Sequence, residues 1–423
     1  MSLNSVIEPA TRTRARINPP TSAAATPCLF GFAFLASPIE TAMSIPRRDE
    51  NSLATDVVTP RADEPTVTVV IATYNRPSSL RWAIESVRRQ TRECWRLLVI
   101  GDACSDDTAV AVAEFNDPRI EYINLPLRHG EQAGPNSVGA WIARSEYVAF
   151  LNHDDIWLPD HLAYALDALQ GANAGLFIGR AAFSAPPGAS AADDSADFVE
   201  VSPIRRSLAQ AFWRPFFYFE PIGSWVVRRD VMHAVGPWYP SANLYRTSMV
   251  DWILRAWRAD IGLAHCGKVT CLKSNSRGSG GEDEHGYALD VLGPEDWLRS
   301  LASAPLEAFR ERIAAEVRRA ATEKRSRGFD ACFPNNQNLQ WLAERLLTPA
   351  AGEVFKRTGW DSYEGLCKAA GLGPGWSMRG ALKRRTGEDL PHVAPPFQEM
   401  CEAAELQLSR RASEHGRQMA RRA

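Results

Sequence analysis

An alternation of strand-like and helix-like segments, beginning at Thr66, constrains this chain more than anything else in it. TVTVVIAT is an apolar, β-branched run closed off by Pro65 on one side and by YNRP on the other. Such runs, with no polar alternation, are strands covered by helices on both faces. Next, Leu80, Ile84 and Val87 share one helical face, and Ser78 or Ser79 can cap that helix. WRLLVI, from Trp95, is a second strand that ends at Gly101-Asp102. ACSDDT then offers Ser105 or Asp106 as the start of a helix reaching Phe115, and RIEYI, from Arg119, is a third strand. Beyond the polar loop LPLRHGEQAGP, Asn136 can begin a helix that runs to about Arg144, and residues 147–151 form a fourth strand. Strand and helix alternating in this way predict an α/β fold: a mostly parallel sheet with helices on both faces.

Ligands of such sheets bind outside the carboxyl ends of the strands. Three polar features fall there: Tyr74-Asn75, Asp102, and the adjacent pair Asp154-Asp155 in EYVAFLNHDDIWLPDHL. Adjacent carboxylates repel, and both stay ionised only where solvent, hydrogen bonds or a cation stabilise them. Mg²⁺ and Mn²⁺ take oxygen ligands, commonly one or two carboxylates shared with substrate phosphates. Taken singly, NHDD is as good a capped loop, Asp102 an Asx-type turn and Tyr74 a half-buried loop tyrosine. Their convergence at neighbouring strand ends favours a nucleotide and metal site.

The remaining sequence is less regular. Residues 1–64 are rich in Ser, Thr, Ala, Pro and Arg without a period, and read as a disordered leader with Met43 as an alternative start. GLFIGRAAF, from Gly175, reads as one strand, PIGSWVVRRDVMHAVGPW as strand, helix and turn, and GLAHCGKVTCLK as β-like. MVDWILRAWRA is helical, with Met249, Ile253 and Trp257 on one face and Asp251 on another. Trp213, Trp225, Trp238, Trp252 and Trp257 supply core, or aromatic platforms for a sugar. KSNSRGSGGEDEHGY, from Lys273, is either a phosphate-covering lid or a solvated loop. Residues 291–423 read as mainly helical, through LEAFRERIAAEVRRAATEKR and LQWLAERLL, and end in the basic run RRASEHGRQMARRA. The 8 cysteines form no CxxC pair, which suits reduced thiols. No apolar run approaches the ~20 residues of a membrane span. A net charge of -2 gives no field that favours nucleic acid.

TVVIATYNRPSSLRWAIESVRRQT, LLVIGDACSDDT and GPNSVGAWIARSEYVAFLNHDDIWLPDHL, in that order and spacing, resemble the nucleotide-binding half of family 2 glycosyltransferases, which have the GT-A fold. GSWVVRRDVMHAVGPW and VDWIL resemble the acceptor half more weakly. The resemblance implies a GT-A domain over residues 65–290, divided into a nucleotide-binding half at 65–170 and an acceptor half at 171–290. It implies inverting transfer of a sugar from a nucleotide-diphosphate donor to a hydroxyl of a glycan, lipid-linked or small-molecule acceptor. Tyr74, with Ala72 beside it, matches the tyrosine that packs on the nucleobase, and Asp102 matches the aspartate that holds the base. Asp155 matches the ligand of the divalent metal, Mn²⁺ or Mg²⁺, and Asp154 its neighbour nearer the ribose. His153 and His161 can complete such a metal site, but a loop histidine before two Asp reads better as a group supporting it from outside.

Asp251 matches the acid that takes the acceptor proton as general base; by position alone it reads better as a helix aspartate paired with Arg255. The chain departs from the family pattern at Asn152, often Asp, at Val250, commonly Glu, and at Gly101, where many members carry the first of two Asp. Two rival expectations are a nucleotidyltransferase and a non-catalytic nucleotide- or glycan-binding module. ATYNRPSS lacks the Gly-rich basic loop of the first, and the joint presence of Asp102, Asp155 and Asp251 opposes the second. The expected setting is cytoplasmic, with no integral membrane segment and no nucleic-acid partner. Residues 291–423 are available for a homo-oligomer or for docking to a partner enzyme.

Overall fold

The alternation is realised in order as β1 (Val67–Thr73), α1 (Pro77–Arg88), β2 (Trp95–Gly101), α2 (Thr108–Ala113), β3 (Ile120–Asn124), α3 (Ala133–Ile142) and β4 (Tyr147–Phe150). The structure is a computed structural model and describes residues 65–184, 198–205, 207–208, 222–274, 294–323, 362–369, 371–376 and 394–422. The leader, Trp213, the loop after Ser274 and LQWLAERLL lie outside the described residues. Three helix starts differ from the sequence reading. α1 begins at Pro77, whose fixed φ suits the first turn, and neither Ser78 nor Ser79 caps it. α2 begins at Thr108, with Asp107 at its cap position, and α3 starts three residues before Asn136.

Beyond β4 come β5 (Asp155–Trp157), α4 (His161–Ala172), β6 (Leu176–Ile178), β7 (Arg180–Ser184), β8 (Phe198–Val201), β9 (Trp225–Arg228) and α5 (Arg229–Val235). They are followed by α6 (Ser248–Arg258), β10 (Leu263–Ala264), β11 (Val269–Lys273), α7 (Pro294–Ser303), α8 (Leu306–Thr322), α9 (Ser362–Ala369) and α10 (Phe397–Arg422). The main sheet has the order β10-β6-β9-β4-β1-β2-β3. β4, β1, β2 and β3 run parallel, and β9 alone lies antiparallel between β4 and β6. This is the mostly parallel α/β sheet expected.

A second sheet, of order β5-β11-β7-β8, was not legible in the sequence. GLFIGRAAF is two strands, because the chain leaves the main sheet after β6 and enters the second at β7. Gly179 sits at the crossing, where an added Cβ would lie 2.5 Å from Thr270 Oγ1.

The strand β1 alternates its burial between two cores. Val70 joins Ile100, Val148 and Phe150 under α3, α5, α6 and α10, while Val69 and Ile71 join Leu97 and Val99 under α1 and α4. Gly139 lets α3 lie close on the sheet, since a Cβ there would meet Val70 Cγ1 at 2.5 Å. Trp225, Trp238 and Trp252 form one buried cluster with ring centroids 5.7 to 6.3 Å apart, and so are core rather than sugar platforms. Helices α7 and α8 cover the second sheet through Trp297, Leu298, Phe309 and Ile313. Helix α10 lays Met400, Cys401 and Ala404 into the first core. No helix of the described residues is long and apolar enough to cross a membrane.

Candidate functional site

The register of the parallel strands decides which residues meet. Thr73 pairs with Gly101 and Val70 with Phe150, so Tyr74, Asp102 and the turn 152–155 emerge from adjacent strands at the same edge of the sheet. Asp102 is nearly fully buried. Its Oδ1 accepts from the His129 N–H at 2.7 Å and its Oδ2 from the Gly130 N–H at 2.9 Å, with His129 Nδ1 3.1 Å from Oδ1. A carboxylate has about four lone-pair positions, so a base N–H remains an available partner. Gly134 makes room for this arrangement: a Cβ on it would lie 2.0 Å from the His129 ring. The Arg128 guanidinium lies over the Tyr74 ring, 3.7 Å from its centroid. Ala72 is the penultimate residue of β1, paired with Ile100.

The two carboxylates after β4 have unequal surroundings. Asp155 opens β5, is 0% exposed, and pairs in register with Lys273 of β11. Lys273 Nζ lies 3.1 Å from each Asp155 oxygen, and Asn152 Nδ2 donates to Oδ2 at 2.8 Å. Burial pushes the Asp155 carboxyl up, to about 7, against the pull of Lys273. For Lys273 burial works downward, and the Asp155 and Asp154 carboxylates outweigh it and raise the ammonium pKa. Gly223 closes this site from the other side, since a Cβ there would meet Asp155 Oδ2 at 2.8 Å. The resemblance points to Asp155 as metal ligand, and in the structure both of its oxygens are held, by Lys273 and, at Oδ2, by Asn152 as well. Asp154 is half-buried, and its backbone carbonyl accepts from Ser274 Oγ at 2.9 Å. Burial lowers the His153 pKa, against the effect of Asp154. His161 is buried, stacked on Trp157 and bonded to Thr270 Oγ1 at 3.0 Å. Among the described residues no group of three or more His, Cys, Asp or Glu could hold a metal ion.

Asp251 lies in the first turn of α6, whose N-cap Thr247 accepts from the Val250 N–H. Arg255 Nε donates to Asp251 Oδ2 at 2.9 Å, the i to i+4 pairing that position alone allowed. The same guanidinium donates to the Pro237 carbonyl at 2.6 Å and to that of Val235, and lies over the Tyr239 ring. Helix α6 is tied to the loop after β3 by Glu131. Its carboxylate accepts from the Ser241 N–H at 2.7 Å, and Ser241 Oγ lies 2.8 Å from Ser248 Oγ at the start of α6. Burial raises the Glu131 pKa, and its bonds to Ser241 oppose that.

Lys273, Arg128, His129 and Glu131 were not singled out for these roles from the sequence. Lys273 meets a residue 118 positions away, which no local pattern shows. LRHGE did carry a signal, a polar loop directly after the third strand and beside Asp102.

Residues 68–236 match the family described as Glycosyl transferase family 2. One similar protein is the Escherichia coli UDP-Glc:alpha-D-GlcNAc-diphosphoundecaprenol beta-1,3-glucosyltransferase WfgD, 32% identical over 117 residues, or 28% of this chain and 46% of that protein. Another is the Rhizobium meliloti succinoglycan biosynthesis protein ExoW, 38% identical over 109 residues, or 24% of this chain and 34% of that protein. The chain therefore spans under half the length of these curated relatives. Among solved structures, S. aureus TarS with UDP-GlcNAc aligns at a TM-score of 0.40 and 16% identity, covering 60% of this chain and 72% of that one. The Pyrobaculum calidifontis mannosyltransferase PcManGT, with GDP-Man and Mn2+, aligns at 0.38 and 16%, covering 76% and 87%. The family 2 match ends at residue 236, before Asp251 and all of the C-terminal helices.

Proposed function

We propose that this protein is an inverting glycosyltransferase that moves a sugar from a nucleotide-diphosphate donor to an acceptor hydroxyl. The observation that carries the reading is the meeting of Tyr74, Asp102 and the 152–155 turn at the carboxyl ends of three adjacent parallel strands. The name of one similar protein supplies the donor class, a UDP-sugar. Tyr74 packs against the base, Asp102 accepts a hydrogen bond from it, and Ala72 lines the same edge.

A divalent cation suits Asp154, a hard oxygen donor that is only half-buried at the strand end, with the donor phosphates completing the ligand set. Asp155 stands behind it, holding the turn through Lys273 and Asn152. When bound, Mn²⁺ or Mg²⁺ would supply positive charge against the departing diphosphate. Asp251 is the general base: it takes the proton of the attacking hydroxyl, and Arg255 fixes its orientation. Attack from the face opposite the diphosphate inverts the anomeric carbon. A reducing, cytoplasmic setting is supported by the described cysteines, Cys94, Cys104, Cys266, Cys271, Cys367 and Cys401, all of which are free.

Release of UDP or GDP from a panel of nucleotide-sugars with Mn²⁺ tests this directly. Asp251→Asn should abolish turnover while nucleotide binding persists, and Asp154→Asn should abolish Mn²⁺ binding in the presence of the nucleotide. Binding without turnover in the unmutated protein would sink the enzyme reading and leave a non-catalytic module.

A further inference from the structure

The C-terminal helix α10 lies wholly outside the matched residues 68–236, yet it reaches the base-binding edge of the sheet. Met400 and Ala404 on α10 are buried in the first core. Gln407 is three residues on, on the same helical face, where an amphipathic helix would continue with an apolar residue. Instead its side-chain amide grips the backbone of Asn124, the last residue of the edge strand β3. Gln407 Nε2 donates to the Asn124 carbonyl at 2.9 Å, and the Asn124 N–H donates to Gln407 Oε1 at 3.2 Å.

The Asn124 side chain repeats the same grip one layer inward. Its Oδ1 accepts from the Cys104 N–H and its Nδ2 donates to the Cys104 carbonyl, both at 2.8 Å. Only glycine at 101 permits this, because a Cβ there would lie 2.6 Å from Asn124 Oδ1. Cys104 follows Asp102 and Ala103, and Ala103 is held at φ +58, a left-handed conformation that an alanine adopts only under constraint. Ser105 then passes the connection to the first strand end, its N–H donating to Asn75 Oδ1 at 3.0 Å beside Tyr74.

We infer that Gln407 is a positioning residue for the donor nucleotide, setting the loop of Asp102 through two successive amide clamps, Gln407 on Asn124 and Asn124 on Cys104. This rests on the proposed base-binding role of Tyr74 and Asp102. The rival role for Gln407 is to blunt an exposed sheet edge, which would contribute stability alone.

The test uses the full chain with UDP and GDP as probes, in the presence of Mn²⁺. Calorimetric Kd values and backbone hydrogen exchange over residues 102–105 are compared for wild type, Gln407→Leu and Gln407→Glu. The glutamate accepts from the Asn124 N–H but cannot donate to its carbonyl. The expected result is about tenfold weaker binding in Gln407→Leu, a smaller loss in Gln407→Glu, and faster exchange at 102–105 in both. Should Gln407→Leu fail to fold, Gln407→Glu carries the comparison alone. A lowered Tm with unchanged Kd and unchanged exchange would leave only the edge cap and overturn the proposal. Absence of nucleotide binding in the wild type would instead overturn the donor reading, and this one with it.

Discussion

Replacing Lys273 by methionine should destabilise the protein in a way that grows with pH. Lys273 is the cation that meets both oxygens of Asp155, at 3.1 Å each, where that carboxylate is 0% exposed. Burial raises the Asp155 pKa to about 7 even with Lys273 present, and removing the ammonium must raise it further. A group whose pKa is raised on folding stabilises the native state below its unfolded value and loses that contribution as pH climbs through the folded value. Below pH ~7 both proteins carry mostly protonated Asp155, and the penalty stays small. Above it the wild type ionises beside Lys273, while the variant must retain a proton or bury an unpaired charge. That costs about 1.4 kcal/mol per pH unit, so roughly 3 kcal/mol by pH 9. The limit is the roughly 3–5 kcal/mol of a broken buried ion pair. Urea unfolding followed by tryptophan fluorescence at pH 6 and pH 9 reads the difference, and Asp155→Asn combined with Lys273→Met should remove its pH dependence. An equal penalty at both pH values would refute the buried-pair account, since it would mean that Lys273 contributes packing alone.

Three further outcomes follow from other parts of the site. Burial lowers the His161 pKa to about 3, so stability should fall as pH drops below ~6.5, by about 1.4 kcal/mol per unit from this residue. In His161→Phe that component should vanish from the pH profile of urea midpoints. Gly134→Ala drives a Cβ to within 2.0 Å of the His129 ring, so it should cost about 1–3 kcal/mol and weaken UDP or GDP binding by moving the loop on Asp102; an unchanged Kd would show the loop independent of His129. Ala103→Gly relieves a left-handed alanine and should raise stability by about 1 kcal/mol in thermal denaturation, a gain absent if Ala103 is unstrained.

What the sequence determined is the local half of this protein. Strands β1, β2 and β4 announce themselves by largely apolar runs, because a parallel strand covered on both faces needs no polar partner on either. Three of the polar features that end those strands, Tyr74, Asp102 and Asp154-Asp155, were legible for the same reason, since parallel pairing sends all of them to one edge. The second sheet was not legible: β5, β7, β8 and β11 are three to five residues long, and their pairing depends on partners far along the chain. Tertiary structure also decided how the two adjacent carboxylates differ. The resemblance implied Asp155 for the metal; register with Lys273 buries that carboxylate and pairs both of its oxygens, while Asp154 is half-buried. Likewise Gln407 looks like any helix glutamine until it is found holding Asn124, 283 residues away. Periodicity reports only which face of an element is buried; the charge or amide that waits on the other side is fixed when the elements pack.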